Sequence, residues 1–133
     1  MSLFNWINFT AIGDIRGQLV VLEQQRNVPF EVKRVYYLTG LDPKTPRGFH
    51  AHKQLWQLAI CVQGSCDMVF DDGIERQSIN MSSSSGGLLI EPMIWHEMYN
   101  FSKDCVFLVL ASDYYDESDY IRDFNEFKRL VSK

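Results

Sequence analysis

Short β-branched and aromatic runs recur along this chain at the roughly 8–12-residue spacing of sandwiches and barrels, and each is closed by a turn signal. The runs cover 19–22, 30–38, 58–62, 66–70, 88–90 and 105–111. Between them stand Gly13-Asp14 with Gly17, Asn27-Val28-Pro29, Asp42-Pro43, Gln63-Gly64-Ser65, Asp71-Asp72-Gly73 and a Ser/Gly patch over 82–87. A strand period broken this often by Gly, Pro and Asp predicts an all-β sandwich or barrel. The rhythm changes only at the end. Over 116–132, Tyr120, Ile121, Phe124, Phe127 and Leu130 recur at helical spacing behind an acidic start, which predicts one short amphipathic C-terminal helix.

Nothing in the 133 residues looks like a linker or a repeat, so the expectation is a single domain over 1–133. With 13 basic against 17 acidic residues, the chain is not expected to bind nucleic acid or an anionic membrane. No apolar run approaches the ~20 residues of a membrane span, and the start lacks the basic region of a signal peptide. Three cysteines are too few for a disulfide scaffold. Cys61 and Cys105 are expected in the core and Cys66 to be inert, all in a reducing cytoplasm.

Chemistry concentrates around the three histidines. In extended chain, alternate side chains share a face, so His50 and His52 point the same way. Without a bulge between Lys53 and Leu55, that parity continues through Trp56, Leu58, Ile60 and Val62, the apolar face of the next strand. Two imidazoles entering a barrel side by side favour a site over ordinary core residues, because burying them without partners is costly. The run 30–38 behaves likewise. Phe30, Val32, Arg34, Tyr36 and Leu38 share parity, so Arg34 and Tyr36 face inward, where an arginine is rare unless paired. His96, beside Trp95, has as its simplest reading a turn histidine next to a packing tryptophan.

These segments resemble the two motifs of the cupin superfamily. His50-x-His52 is followed by Gln57 at the position of the cupin glutamate, with Gly64 beyond it; Gly86, Pro92, His96 and Asn100 supply most of the second motif. Gln57 replaces the anionic ligand, Ile94 stands where a glycine belongs, and His96 comes one residue early. The resemblance implies a cupin jelly-roll barrel and weakens the case for a metal. A closer resemblance, over nearly the whole chain, is to the WxcM-like cupins, which include 3,4-ketoisomerases acting on dTDP-4-keto-6-deoxyglucose. It rests on 33–37, 47–52, 92–98 and above all 109–122. Asp14-x-Arg16-Gly17 and Arg47-Gly48-x-His50 are also similar to patterns of the dTDP-sugar 3,5-epimerases.

The resemblance implies a reaction that moves a carbonyl between C4 and C3 by proton transfer through an enediol, with neither metal nor redox cofactor required. No Gly-x-Gly-x-x-Gly fingerprint occurs. His50 is the expected base at C3, His52 the second acid/base, and Tyr36 a donor to the developing oxyanion. Arg16, Arg34 and Arg47 are expected to hold the diphosphate, and His96 to line the site. The substrate partner implied is a dTDP-linked 4-keto-6-deoxyhexose. A homodimer with exchanged N-terminal strands is implied too, bringing Arg16 to the neighbouring site and covering the apolar 19–22 run. The Asp-x-Arg-Gly form favours a galacto-type product, with Arg16 and Tyr99 near C4. The product would feed synthesis of a 3-amino-3,6-dideoxyhexose for surface polysaccharide. Two other functions remain open on sequence: a metal-dependent cupin enzyme using His50, His52 and His96, and a non-catalytic nucleotide-sugar-binding module.

Overall fold

The computed structural model describes residues 2–132. Its strands are β1 (Asn5–Ile7), β2 (Ala11–Asp14), β3 (Gly17–Val20), β4 (Arg34–Leu38), β5 (Arg47–His52), β6 (Gln57–Gln63), β7 (Ser65–Asp71), β8 (Arg76–Ser82), β9 (Gly87–Ile90), β10 (Trp95–Tyr99), β11 (Val106–Ala111) and β12 (Tyr120–Ile121). A 3-10 turn (Glu117–Asp119) precedes β12, and helix α1 (Phe124–Val131) follows it. Two five-stranded antiparallel sheets, in the orders β1-β9-β6-β11-β4 and β12-β5-β10-β7-β8, face each other. From β4 to β11 this is the strand order of a jelly roll, the architecture the cupin resemblance implies.

The core lies between the sheets. Cys66, Met68 and Phe70 alternate inward along β7, opposite Ala59 and Cys61 of β6 and Phe107 and Val109 of β11. All three cysteines are buried and unpaired, and burial pushes the Cys61 thiol up to about 12, so they behave as small apolar residues. The outer faces are covered separately. Val28 and Phe30 pack on Leu58 and Leu110 outside the first sheet. Phe127 of α1 packs with Ala51, Trp95 and Ile121 outside the second.

Three sequence expectations need correction. First, the inward parity does not run on from β5 into β6: residues 53–56 turn, and the inward residues of β6 are Gln57, Ala59 and Cys61. Trp56 and Val62 are exposed, and Leu58 packs on the outer face. Register with β11, pairing Ala59 with Val109, fixes this choice. Second, Phe30 and Val32 belong to the outer cluster, so the inward face of β4 begins at Arg34. Third, the helix is shorter than 116–132. Asp116 caps the 3-10 turn, Tyr120 and Ile121 pair with His52 and Ala51, and Asp123 caps α1 by accepting from the amides of Asn125 and Glu126. An Asp accepting from two otherwise orphaned N–H groups starts a helix where it stands.

Strands β1, β2, β5, β8, β10 and β12 fall outside the runs picked out above. β8 hides because it is a polar edge strand in which only Ile79 and Met81 turn toward the core. β2 and β3 pair only with each other, and their hairpin leaves Ile12, Ile15, Leu19 and Val20 exposed. No helix among the described residues is long and apolar enough to cross a membrane.

Candidate active site

A bulge aims the histidines. His96 of β10 pairs with His50 of β5, but Glu97 pairs with Gly48, leaving Phe49 as the extra residue. Gly48 (φ 93°) and Phe49 (φ 60°) both lie in the left-handed region. Gly48 suits this geometry, since a Cβ there would stand 3.0 Å from the His96 carbonyl oxygen and 3.3 Å from Glu97 Cα. Beyond the bulge, His50 and His96 face one another with ring centroids 4.4 Å apart, and His52 lies 5.0 Å from His50.

His50 and His96 line an open cavity of about 410 Å³ in the mouth of the barrel, together with Arg34, Tyr36, Arg47, Gln57, Tyr120 and Arg122. Leu38, Met68, Ile90, Met98, Phe107 and Val109 form its apolar part. Four of the expected site residues besides His50 therefore share this cavity: Tyr36, Arg34, Arg47 and His96. His52 sits behind it, 2% exposed, with Tyr120 at 4.4 Å. Arg16 is elsewhere. It lies in the hairpin, its side chain 87% exposed and ion-paired with Asp14. Tyr99 is turned to the outer face, where its hydroxyl donates to buried Glu97 at 2.6 Å; that carboxylate also accepts from Trp95 and Arg76.

Arg34 faces inward without the ion pair that an inward arginine usually has, for no carboxylate pairs with it among the described residues. Its guanidinium lies 5.4 Å from the ring centre of Tyr36 and 5.9 Å from that of Tyr115, and its Nε is buried without a partner. Gln57 donates Nε2–H to Tyr36 Oη at 2.7 Å, while its own Oε1 is unpartnered. With one lone pair of the phenol occupied, its proton remains for a cavity ligand. Burial pushes the Tyr36 pKa up to about 12, keeping that proton in place at neutral pH. Unsatisfied buried polar atoms are costly, and here they cluster around one cavity.

Burial, more than any neighbour, lowers the pKa of all three histidines. His52 is driven to about 4, its charge also opposed by His50 and only partly favoured by Asp119. At neutral pH the site holds three uncharged imidazoles. His50 Nδ1 lies 3.1 Å from the Gly48 carbonyl oxygen and His96 Nδ1 3.3 Å from that of Ile94. A carbonyl accepts only from N–H, so the proton of each ring is on Nδ1 and Nε2 is left basic.

This has a consequence for stability. The unfolded chain, with histidines near 6.5, takes up protons before the folded chain does. Stability is therefore full above about pH 6.5 and is lost as pH falls toward the folded values, about 4 for His52. Urea midpoints followed by tryptophan fluorescence are expected to fall between pH 7 and pH 5, above the range in which carboxylates titrate. A flat profile over that interval would show the imidazoles to be solvated.

One ring nitrogen of each histidine lies within 4.8 Å of the other two, close enough for all three to reach one divalent cation. Three imidazoles suit zinc, copper or iron. The cupin carboxylate, however, is replaced by Gln57, which spends its amide on Tyr36, and His52 turns Nδ1 toward Asp119 at 3.3 Å. The donor set is three neutral imidazoles without an anion, a weaker metal site than one that keeps the cupin carboxylate.

Gln57, which strand parity turned outward but the cupin motif put at a ligand position, lines the cavity; Tyr120 and Arg122 also line it and were not among the expected site residues. Arg122 lies 4.2 Å from the Tyr120 ring centre and pairs with Glu117. Their only signal was the 109–122 resemblance, since their spacing read as helix.

The family model FdtA, described as WxcM-like, C-terminal, matches residues 3–132. The TDP-4-oxo-6-deoxy-alpha-D-glucose-3,4-oxoisomerase of Aneurinibacillus thermoaerophilus is 52% identical over 127 residues, 96% of this chain and 91% of that one. A 3,4-ketoisomerase from Helicobacter canadensis superposes with a TM-score of 0.94 at 46% identity, covering 98% of both chains. A mutant of the 3,4-ketoisomerase QdtA from Thermoanaerobacterium thermosaccharolyticum, in complex with TDP-4-keto-6-deoxyglucose, also gives 0.94, at 40% identity over 98% of this chain and 95% of that one. The chain belongs to the WxcM-like (FdtA) family and is an isomerase of the 3,4-ketoisomerase class.

Proposed function

We propose that the protein moves the keto group of dTDP-4-keto-6-deoxyglucose from C4 to C3 by histidine-mediated proton transfer. The observation that carries this reading is the set of neutral histidines beside a protonated Tyr36 in one arginine-rimmed cavity. The C3 hydrogen lies α to the C4 ketone, so a base can remove it. His50, with Nδ1–H tied to Gly48 and Nε2 basic, is that base. Charge then develops on O4, and Tyr36 donates to it. A proton returns to C4 and the hydroxyl protons shift. His52, packed against His50, is the second acid/base, and His96 lines the sugar pocket.

Arg34 and Arg47 hold the diphosphate, where a guanidinium offers paired donors to phosphate oxygens. Arg16 completes the set from a second copy. The hairpin it occupies displays Ile15 and Leu19 to solvent, which suits exchange of N-terminal strands in a homodimer. The Asp-x-Arg-Gly form of that hairpin leads us to a galacto-type product. A pyridoxal-phosphate aminotransferase would then make a 3-amino-3,6-dideoxyhexose for surface polysaccharide, in the reducing cytoplasm that three free cysteines suit.

The test is turnover of dTDP-4-keto-6-deoxyglucose by purified protein, read by NMR with and without a chelator. Formation of the 3-keto sugar, unaffected by chelation, is expected. Binding without turnover would leave the non-catalytic module, and loss on chelation the metal-dependent enzyme. Gly48→Ala tests the bulge. A Cβ there stands 3.0 Å from the His96 carbonyl oxygen, at a φ of 93° that alanine resists. Strand β5 and with it His50 must give by a few tenths of an ångström, and kcat is expected to fall by less than the roughly 100-fold that a displacement of about 1 Å costs. Wild-type kcat in a folded Gly48→Ala variant would show that the bulge does not set the aim.

A further inference from the structure

His52 is nearly sealed from solvent, yet neither of its ring nitrogens makes an aligned hydrogen bond. Its Nδ1 lies 3.3 Å from Asp119 Oδ2, close enough to attract but off the hydrogen-bonding direction. Asp119 does not wander. It ends the 3-10 turn directly before β12, Oδ1 accepts from the Gln54 amide at 2.9 Å, Oδ2 accepts from Leu55 at 3.3 Å, and its carbonyl accepts from Lys53. Tyr120, the next residue, pairs with His52 across the strands. The carboxylate also borders a second, smaller cavity of about 160 Å³, lined by Gln54, Ser112, Asp116, Tyr120 and His52 itself. His52 thus stands between the cavity of His50 and a separate opening to solvent.

From this geometry we infer that Asp119 is a positioning residue for the reaction: it fixes His52 as the Nδ1–H tautomer, leaving Nε2 to exchange a proton on the His50 side. A carboxylate accepts only, so the ring must present N–H to it. When Nε2 takes a proton, the Nδ1 proton stays on the ring and Asp119 stabilises the resulting cation. The second cavity lets water reach the Asp119 carboxylate, while the ring of His52 stays covered. The inference rests on the proton-transfer role proposed for His52.

Asp119→Asn tests it. Asparagine can keep its oxygen on the Gln54 amide and must then turn an N–H toward His52, which forces the Nε2–H tautomer. Long-range ¹H–¹⁵N correlation of the ring nitrogens reads the tautomer without substrate. The three histidines can be assigned through single His→Asn variants. The wild type is expected to show His52 protonated at Nδ1 and the variant at Nε2, with kcat lower by about 10- to 100-fold and KM little changed. An Nε2–H tautomer in the wild type overturns the inference, whether or not the variant folds. So does a folded variant with wild-type kcat. Should wild-type protein lack ketoisomerase turnover while His52 carries its proton on Nδ1, the proposed reaction falls and the Asp119–His52 pairing stands.

Discussion

Replacing His50 by asparagine is expected to lower kcat about 100- to 10,000-fold, the range general acid–base catalysis supplies. Asparagine can still donate a side-chain N–H to the Gly48 carbonyl, so the bulge and the packing against His96 survive. What is lost is the basic nitrogen. His96 is a poor substitute: its side chain is buried, and burial pushes its pKa well below the ordinary imidazole value, which makes its Nε2 a weaker base. The prediction therefore separates chemistry from binding, with little change in KM and nearly complete loss of turnover. Steady-state kinetics together with nucleotide-sugar binding by calorimetry check it. Wild-type kcat in the variant would move the base elsewhere in the cavity.

The second large effect is on stability. Phe127→Ala is expected to cost about 3–5 kcal/mol, the range for truncating a fully buried aromatic. Phe127 is 0% exposed and packs its ring 5.8 Å from Trp95 and 6.1 Å from Phe124. Through Ala51 and Ile121 the same cluster backs β5 and β12, the strands that present His50, His52 and Tyr120. Loss of the anchor should loosen the wall of the site as well as α1. Denaturant unfolding measures the first effect and the temperature dependence of activity the second. A cost under about 1 kcal/mol would mean that α1 is not part of the cooperative fold.

How far such a site is legible from sequence depends on which regularity carries each residue. Arg34, Tyr36 and Leu38 alternate along one unbroken strand, so period-2 reasoning placed them correctly. The His50–His52 pair was visible for the same reason, although His52 turned out to stand behind the cavity rather than on its wall. Gln57 was reached only through the cupin motif; parity put it on the wrong face because residues 53–56 turn, and no local pattern reports how a strand re-enters a sheet, which the pairing of β6 with β11 decides. Tyr120 was misassigned because Tyr120, Ile121, Phe124 and Phe127 match a helical period by coincidence. Asp123, a cap in the middle of that run, was the signal that the helix begins later. Trp95 packs as its sequence context suggested, while the His96 beside it is a strand residue facing the cavity.

The central claim, proton transfer by neutral histidines, is tested most directly by running the reaction in deuterium oxide and locating the label by NMR. The account predicts deuterium at C4 of the 3-keto product, because the proton removed from C3 exchanges before another is delivered. Complete retention of the original hydrogen, carried from C3 to C4, would contradict it and point to a direct hydride shift.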